Sequence, residues 1–253
     1  METAGSPSPR EMPGTSPPPS PFTIKKYLFP IALGLVFYIS LLPPVALGII
    51  AWNYLNLHLW WHILLLPLIL YIGITITIQC ITLIPAAIVS LLNIKYTPGT
   101  YTYDYKTKES LKWIIICSLY TPGRKIFEMI PLPRTRTAYY RLLGMKIGKN
   151  TLIGGVIKDP CLTSFGDNCT MGEYAIIYGH IQNMEHDTIE MARITIGNNC
   201  VIGAGAIIMP GVTLQDNVAV AAGALVPKNQ TLLSGKIYAG VPAREIQKKP
   251  TPT

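Results

Sequence analysis

Around the stretch Gly179 to Arg193 the chain gathers His180, Glu185, His186, Asp187, Glu190 and Arg193, the most titratable part of its C-terminal half. An imidazole that titrates near neutrality can take a proton from a hydroxyl or an amine. His180 and His186 are the two candidate bases, and Glu185 or Asp187 is a possible orienting carboxylate. A zinc site built from three imidazoles across subunits would have only these two histidines to draw on here, so no metal is expected. The five cysteines, Cys80, Cys117, Cys161, Cys169 and Cys200, include no Cys-x-x-Cys pair, which points to a reducing compartment rather than a metal ribbon.

These side chains interrupt a repeat that must hold them. Aliphatic or near-aliphatic residues return every sixth position at Ile147, Ile153, Phe165, Met171 and Ile177, with Asp159 as a break. They return again at Ile196, Ile202, Ile208, Leu214, Val220 and Val226 without one. Neither a 3.6-residue helix nor a two-residue strand gives that spacing, whereas a short strand plus a corner does. Asn150, Asn168, Asn199 and Asn217 fall three places after the aliphatic residue. They should stack on one corner, where Asn tolerates left-handed backbone. Small residues four places after it, such as Cys169, Ala175, Cys200, Ala206 and Ala224, suit the cramped interior of a prism. Ile177 and Ile196 are out of phase, so Asn183 to Arg193 is read as a loop leaving the prism at a corner.

The run Ile196-Gly-Asn-Asn-Cys-Val-Ile-Gly-Ala-Gly-Ala-Ile-Ile-Met-Pro-Gly-Val-Thr-Leu, continued by Gly240-Val-Pro-Ala-Arg244, resembles the hexapeptide acyltransferases, which include galactoside and serine acetyltransferases. The resemblance covers roughly the last 110 residues. It implies a left-handed parallel β-helix, a homotrimer and an acyl-CoA (acetyl-CoA) co-substrate. By the same resemblance Gly179-His180 is the step that carries the general base, with a backbone N–H or loop donor stabilising the oxyanion. Ala204 and Ala222 would contact pantetheine, and Lys228 and Arg244 would meet the nucleotide phosphates. The chain departs from the galactoside-type pattern at Tyr174, where an Asn is expected, and in the hexad phase of the His. Similar repeats end poly-lysine synthetase-like enzymes, which would imply aminoacyl transfer to an amine. A γ-type carbonic anhydrase and a non-catalytic membrane scaffold are the remaining readings.

The first half is of another kind. Mean hydropathy is +0.35 and only 13% of residues are charged, too apolar for a soluble chain. A net charge of +8 suits phosphate-rich ligands or an anionic membrane surface; no reader motif points to nucleic acid. Residues 1–21, rich in Pro and Ser, are expected to be disordered. Residues 22–94 are read as a two-helix transmembrane hairpin, Tyr27 to Trp52 and Leu59 to Leu92, with a kink at Pro43-Pro44. Residues 95–145 form a juxtamembrane helical segment and cap, with Leu111 to Tyr120 as an interfacial or re-entrant helix. The β-helix occupies 146–235, with its excursion at 183–193, and a C-terminal segment follows at 236–253. Lys and Arg flank the helices but are missing between them, which puts both termini in the cytoplasm. Arg124, Lys125, Arg134, Arg136 and Arg141 could hold anionic headgroups. The expected function is membrane-anchored transfer of an acyl group to a lipid-linked or other membrane-bound hydroxyl or amine.

Overall fold

The six-residue spacing closes into a three-walled parallel coil. This is a computed structural model, and it describes residues 21–56, 58–103, 107–130 and 132–246, with backbone alone for 21–28. The tail expected to be disordered therefore lies outside the described residues, Pro21 excepted. Wall one stacks Lys146–Ile147, Thr163–Phe165, Ile194–Ile196, Thr213–Leu214 and Thr231–Leu232. Wall two stacks Leu152–Ile153, Thr170–Met171, Val201–Ile202, Ala219–Val220 and Ile237–Ala239, and is closed by an antiparallel strand, Arg244–Ile246. Wall three stacks Val156–Ile157, Ile176–Ile177, Ile207–Ile208 and Leu225–Val226.

Each wall sends one aliphatic column inward. Ile196 pairs in register with Phe165 and Leu214, Ile202 with Met171 and Val220, and Ile208 with Ile177 and Val226. All of them are buried, and burying a side chain of this size is worth about 1.5–3 kcal/mol. The small residues Cys169, Ala175, Cys200, Ala206 and Ala224 are buried at the corners. Asn150, Asn168, Asn199 and Asn217 have φ of 52°, 56°, 55° and 60°. Their amides form a ladder, each Nδ2 donating to the Oδ1 of the next at 3.2–3.3 Å.

The excursion differs from an irregular loop. Corner partners stacked 18 residues apart in ordinary coils are 31 apart across it, so it inserts 13 residues between walls three and one. Those residues fold as an antiparallel hairpin, His180–Asn183 with Thr188–Met191. A third strand, Gly99–Thr102, pairs with the outer arm, Thr102 opposite Thr188 and Gly99 opposite Met191. Hence the segment 95–145, read as helical throughout, contributes a strand to the excursion.

Among the described residues four helices precede the coil: α1 (Pro21–Tyr54), α2 (Trp60–Leu91), α3 (Lys108–Met129) and α4 (Pro133–Leu142). The stretches Phe29–Tyr54 and Trp60–Leu91 are long and apolar enough to cross a membrane, and the most apolar 18 residues of each bury almost no side chains, whereas Thr82, Pro85, Ala86 and Val89 near the end of α2 are buried. α1 continues unbroken through Pro43 and Pro44. Leu111 to Tyr120 lies within α3, which is capped by Thr107, whose Oγ1 accepts from the Ser110 N–H. α3 buries Trp113, Ile116, Leu119, Tyr120 and Phe127. That face packs on protein: the Tyr120 hydroxyl donates to the carbonyl of Ile157 in wall three. α4 packs against the first strands of walls one and two.

Candidate active site

The break at Asp159 has a structural cause. In the first coil wall three arrives two residues early, so Ile157 rather than residue 159 fills the column opposite Ile177. Asp159 then falls at the next corner, just before the short turn Pro160–Leu162. Its side chain is fully buried, and a buried carboxylate needs donors. The Tyr96 hydroxyl donates to Oδ1 at 2.6 Å and the Gly179 N–H to Oδ2 at 2.7 Å. His180 Nδ1 lies 2.7 Å from Oδ2 and 2.9 Å from Oδ1. A carboxylate facing Nδ1 holds the proton on that nitrogen and leaves Nε2 as the basic one.

Gly179 explains why the His follows a glycine. A Cβ on residue 179 would sit 2.6 Å from the Asp159 Cβ, so any larger residue would push apart the two coils that bring carboxylate and imidazole together. His180 itself opens the inner arm of the hairpin, with 16% of its side chain exposed. Trp113 of α3 packs edge-on against the imidazole, ring centroids 4.9 Å apart, and Tyr103 packs on Trp113. The indole Nε1–H of Trp113 is buried without a hydrogen-bond partner. The imidazole is thus held by a carboxylate on one nitrogen and walled by an indole.

Burial, and next the Asp159 carboxylate, raise the Tyr96 phenol well above its ordinary value, so it stays a donor. Two thiols lie near the same carboxylate. Burial first, then Asp159, pushes Cys117 up to about 12, and burial pushes Cys161 up to about 11. Neither is a thiolate at neutral pH, which removes them as nucleophiles.

The other candidate residues fall elsewhere. Glu185 and His186 occupy the exposed hairpin tip, where their N–H groups donate to Asn183 Oδ1. The carboxylate that orients His180 is Asp159, not Glu185 or Asp187: the tip lies at the far end of the hairpin from the strand position that carries the ring. Ala204 and Ala222 are stacked and exposed on the corner between walls two and three, the Gly223 N–H donating to the Ala204 carbonyl at 2.9 Å. A Cβ on Gly203 would meet the Ala222 nitrogen at 2.4 Å, so successive coils stack here too closely for any side chain at 203. Lys228 pairs with Glu190 of the hairpin at 2.8 Å. Arg244 is exposed on the closing strand. Among the described residues no group of three or more His, Cys, Asp or Glu is gathered to hold a metal.

Tyr96, Trp113 and the role of Asp159 escaped the sequence reading. Asp159 carried a signal, an acid standing where the repeat asks for an aliphatic residue. Tyr96 and Trp113 carried none, because no periodicity links residues before the coil to one of its corners.

Residues 193–228 match the family described as bacterial transferase hexapeptide (six repeats). No curated protein gives a significant match. Among solved structures the chain is similar to a maltose O-acetyltransferase from Clostridium difficile 630, at 19% identity and TM-score 0.45, covering 66% of this chain and 98% of that one. It is also similar to a hexapeptide-repeat acetyltransferase from Vibrio cholerae complexed with acetyl coenzyme A, at 19% identity and TM-score 0.45, covering 57% and 91%. A galactoside acetyltransferase in complex with coenzyme A gives 19% identity and TM-score 0.43, covering 60% and 86%. Over residues 193–228 this chain therefore carries the bacterial transferase hexapeptide repeat, the family that its spacing resembles.

Proposed function

We propose that the protein is an acyl-CoA-dependent acyltransferase, anchored in a membrane by α1 and α2, that acylates a hydroxyl or amine of a membrane-associated acceptor. The observation that carries this reading is the buried Asp159 carboxylate on His180 Nδ1. It supports an imidazole poised as general base through Nε2. The transferase repeat supports group transfer, and the stacked, exposed and small side chains of Ala204 and Ala222 leave room for a pantetheine arm. Acyl-CoA supplies an activated carbonyl. His180 takes the proton of the attacking group as it bonds to that carbonyl, Asp159 stabilises the imidazolium that forms, and the C–S bond then breaks as the imidazolium gives its proton to the departing coenzyme A thiolate. Tyr96 and the Gly179 N–H hold the carboxylate in place throughout. With both nearby thiols protonated, direct transfer without a covalent enzyme intermediate is the simplest course.

Arg244 is the exposed cation toward the nucleotide phosphates, with Lys228 available once it leaves Glu190. A homotrimer, with the donor between neighbouring coils, follows the repeat family, and both termini face the cytoplasm. The test is mass spectrometry of membrane lipids and glycolipids from cells making the protein or His180→Ala. One acyl mass difference should appear with the first and vanish with the second, while His186→Ala leaves it. A difference that survives His180→Ala overturns the assignment of the base.

A further inference from the structure

A cavity of about 700 Å³ opens between α3, α4 and the outer faces of walls two and three in the first two coils. Four cations line it, Arg124, Lys125, Arg136 and Lys158, against two carboxylates, Glu128 and Glu173. Glu128 is already engaged by Arg124 and Lys125. Arg124 is buried, and the Nε–H groups of both Arg124 and Arg136 are buried with no acceptor. The Arg136 guanidinium is tied to the carbonyls of Phe127, Ile153 and Gly154, which leaves Lys158 and the two cations that share Glu128 to meet a ligand, an excess of positive charge that suits an anion with several oxygens.

The rest of the lining is apolar, with Phe127, Val156 and Ile176 on its walls. Tyr174 stands at the rim, 80% exposed. It has a φ of 60° at a corner where the higher coils use Gly205 and Gly223, so the backbone holds a large ring where a glycine would serve. Arg134 and Arg141, which the sequence groups with these cations, do not line the cavity. Lys158, from the coil, does. The last turns of α2, an apolar helix of 32 residues, pack on α3 and α4, the two helices that line the cavity.

We propose that this cavity binds a phosphate ester carried on an apolar chain, the headgroup of an anionic membrane lipid. Arg124, Lys125 and Lys158 hold the phosphate, and the apolar wall and Tyr174 receive the first part of the chain. The site is separate from the imidazole: Arg124 lies eleven residues along α3 from Trp113, about 16 Å at the helical rise. Burial, and next the neighbouring Arg124, lower the pKa of Lys158, a cost that a bound anion would relieve. The inference rests on membrane anchoring but not on acyl transfer.

The full chain is taken from mixed micelles holding phosphatidylglycerol and phosphatidylcholine in equal amount and read by native mass spectrometry. One phosphatidylglycerol per chain should survive activation that strips phosphatidylcholine. The pair Arg124→Gln with Lys158→Gln should weaken retention at least about tenfold, as loss of charge-assisted bonds implies, and Lys146→Gln on the far side should not. Should the double variant fail to fold, Lys125→Gln and Thr170→Trp, at exposed lining positions, decide the matter, each cutting retention several-fold. Equal retention of the two lipids overturns the proposal. So does an unaltered phosphatidylglycerol signal in the cavity variants, or displacement of the lipid by glycerol 3-phosphate at matching concentration, which would mark a free-phosphate site.

Discussion

At Asp159 one carboxylate takes three donors, and two of them are there to serve the third. The Tyr96 hydroxyl and the Gly179 N–H fix the carboxylate so that it can fix His180. Removing links of this chain should therefore give graded losses. Asp159→Asn keeps the volume but can present an N–H to Nδ1, favouring the wrong tautomer, and kcat should fall by about 10²–10⁴. Tyr96→Phe removes one bond from the carboxylate and should cost roughly tenfold or less, with KM for the acyl donor unchanged. Steady-state kinetics on the two variants test the order; a larger loss from Tyr96→Phe than from Asp159→Asn would contradict it. Gly179→Ala forces a Cβ to 2.6 Å from that of Asp159. It should destabilise the coil by about 1–3 kcal/mol, read as a lowered denaturation midpoint, with activity lost at temperatures where the coil is still folded.

At the scale of elements, the coil was legible and its additions were not. The repeat identified the aliphatic columns and the Asn ladder because each hexad poses the same packing problem and answers it with the same residue types. Asp159 appeared as a flaw because two residues are displaced along wall three, and displacement leaves no trace in composition. The excursion contained alternating residues, but its partner strand, Gly99–Thr102, lies far upstream, and strand pairing across such a separation has no local signature. α3 looked interfacial because an apolar face reads alike whether lipid or protein covers it. That face brings a tyrosine cluster to the base of the coil: burial, as the first cause, raises Tyr96, Tyr120, Tyr139 and Tyr140 above the ordinary 10.0. On unfolding these phenols ionise near their ordinary value, whereas the folded chain keeps their protons to higher pH. Above pH 10 the folded state thus binds more protons, and stability falls as pH rises. Denaturant melts should give a midpoint that declines above about pH 8, first because the Cys117 and Cys161 thiols, raised from an ordinary 9.0, ionise only on unfolding, then more steeply as the phenols follow; a midpoint that rises there would refute the buried cluster.

For the whole molecule the arrangement proposed is two membrane helices on one side of a catalytic coil. In that proposed arrangement the flanking Lys and Arg residues favour the short α1–α2 connection outside and the coil inside. A membrane-impermeant maleimide should label His58→Cys on intact cells and Gly235→Cys only after lysis. Labelling of Gly235→Cys from outside would reverse the topology and remove the coil from the compartment that makes coenzyme A thioesters.

The strand Gly99–Thr102 and the phenol of Tyr96 leave α2 within a dozen residues of its last turn at Leu91. One is sewn to the hairpin whose other arm begins with His180, and the other is bonded to the acid behind that ring. The proposed anchor is consequently a stem as well as a tether: the same peptide that continues from α2 sets the posture of His180. A coil cut free at Lys146 would keep its prism and its imidazole yet lose the hand that aims it.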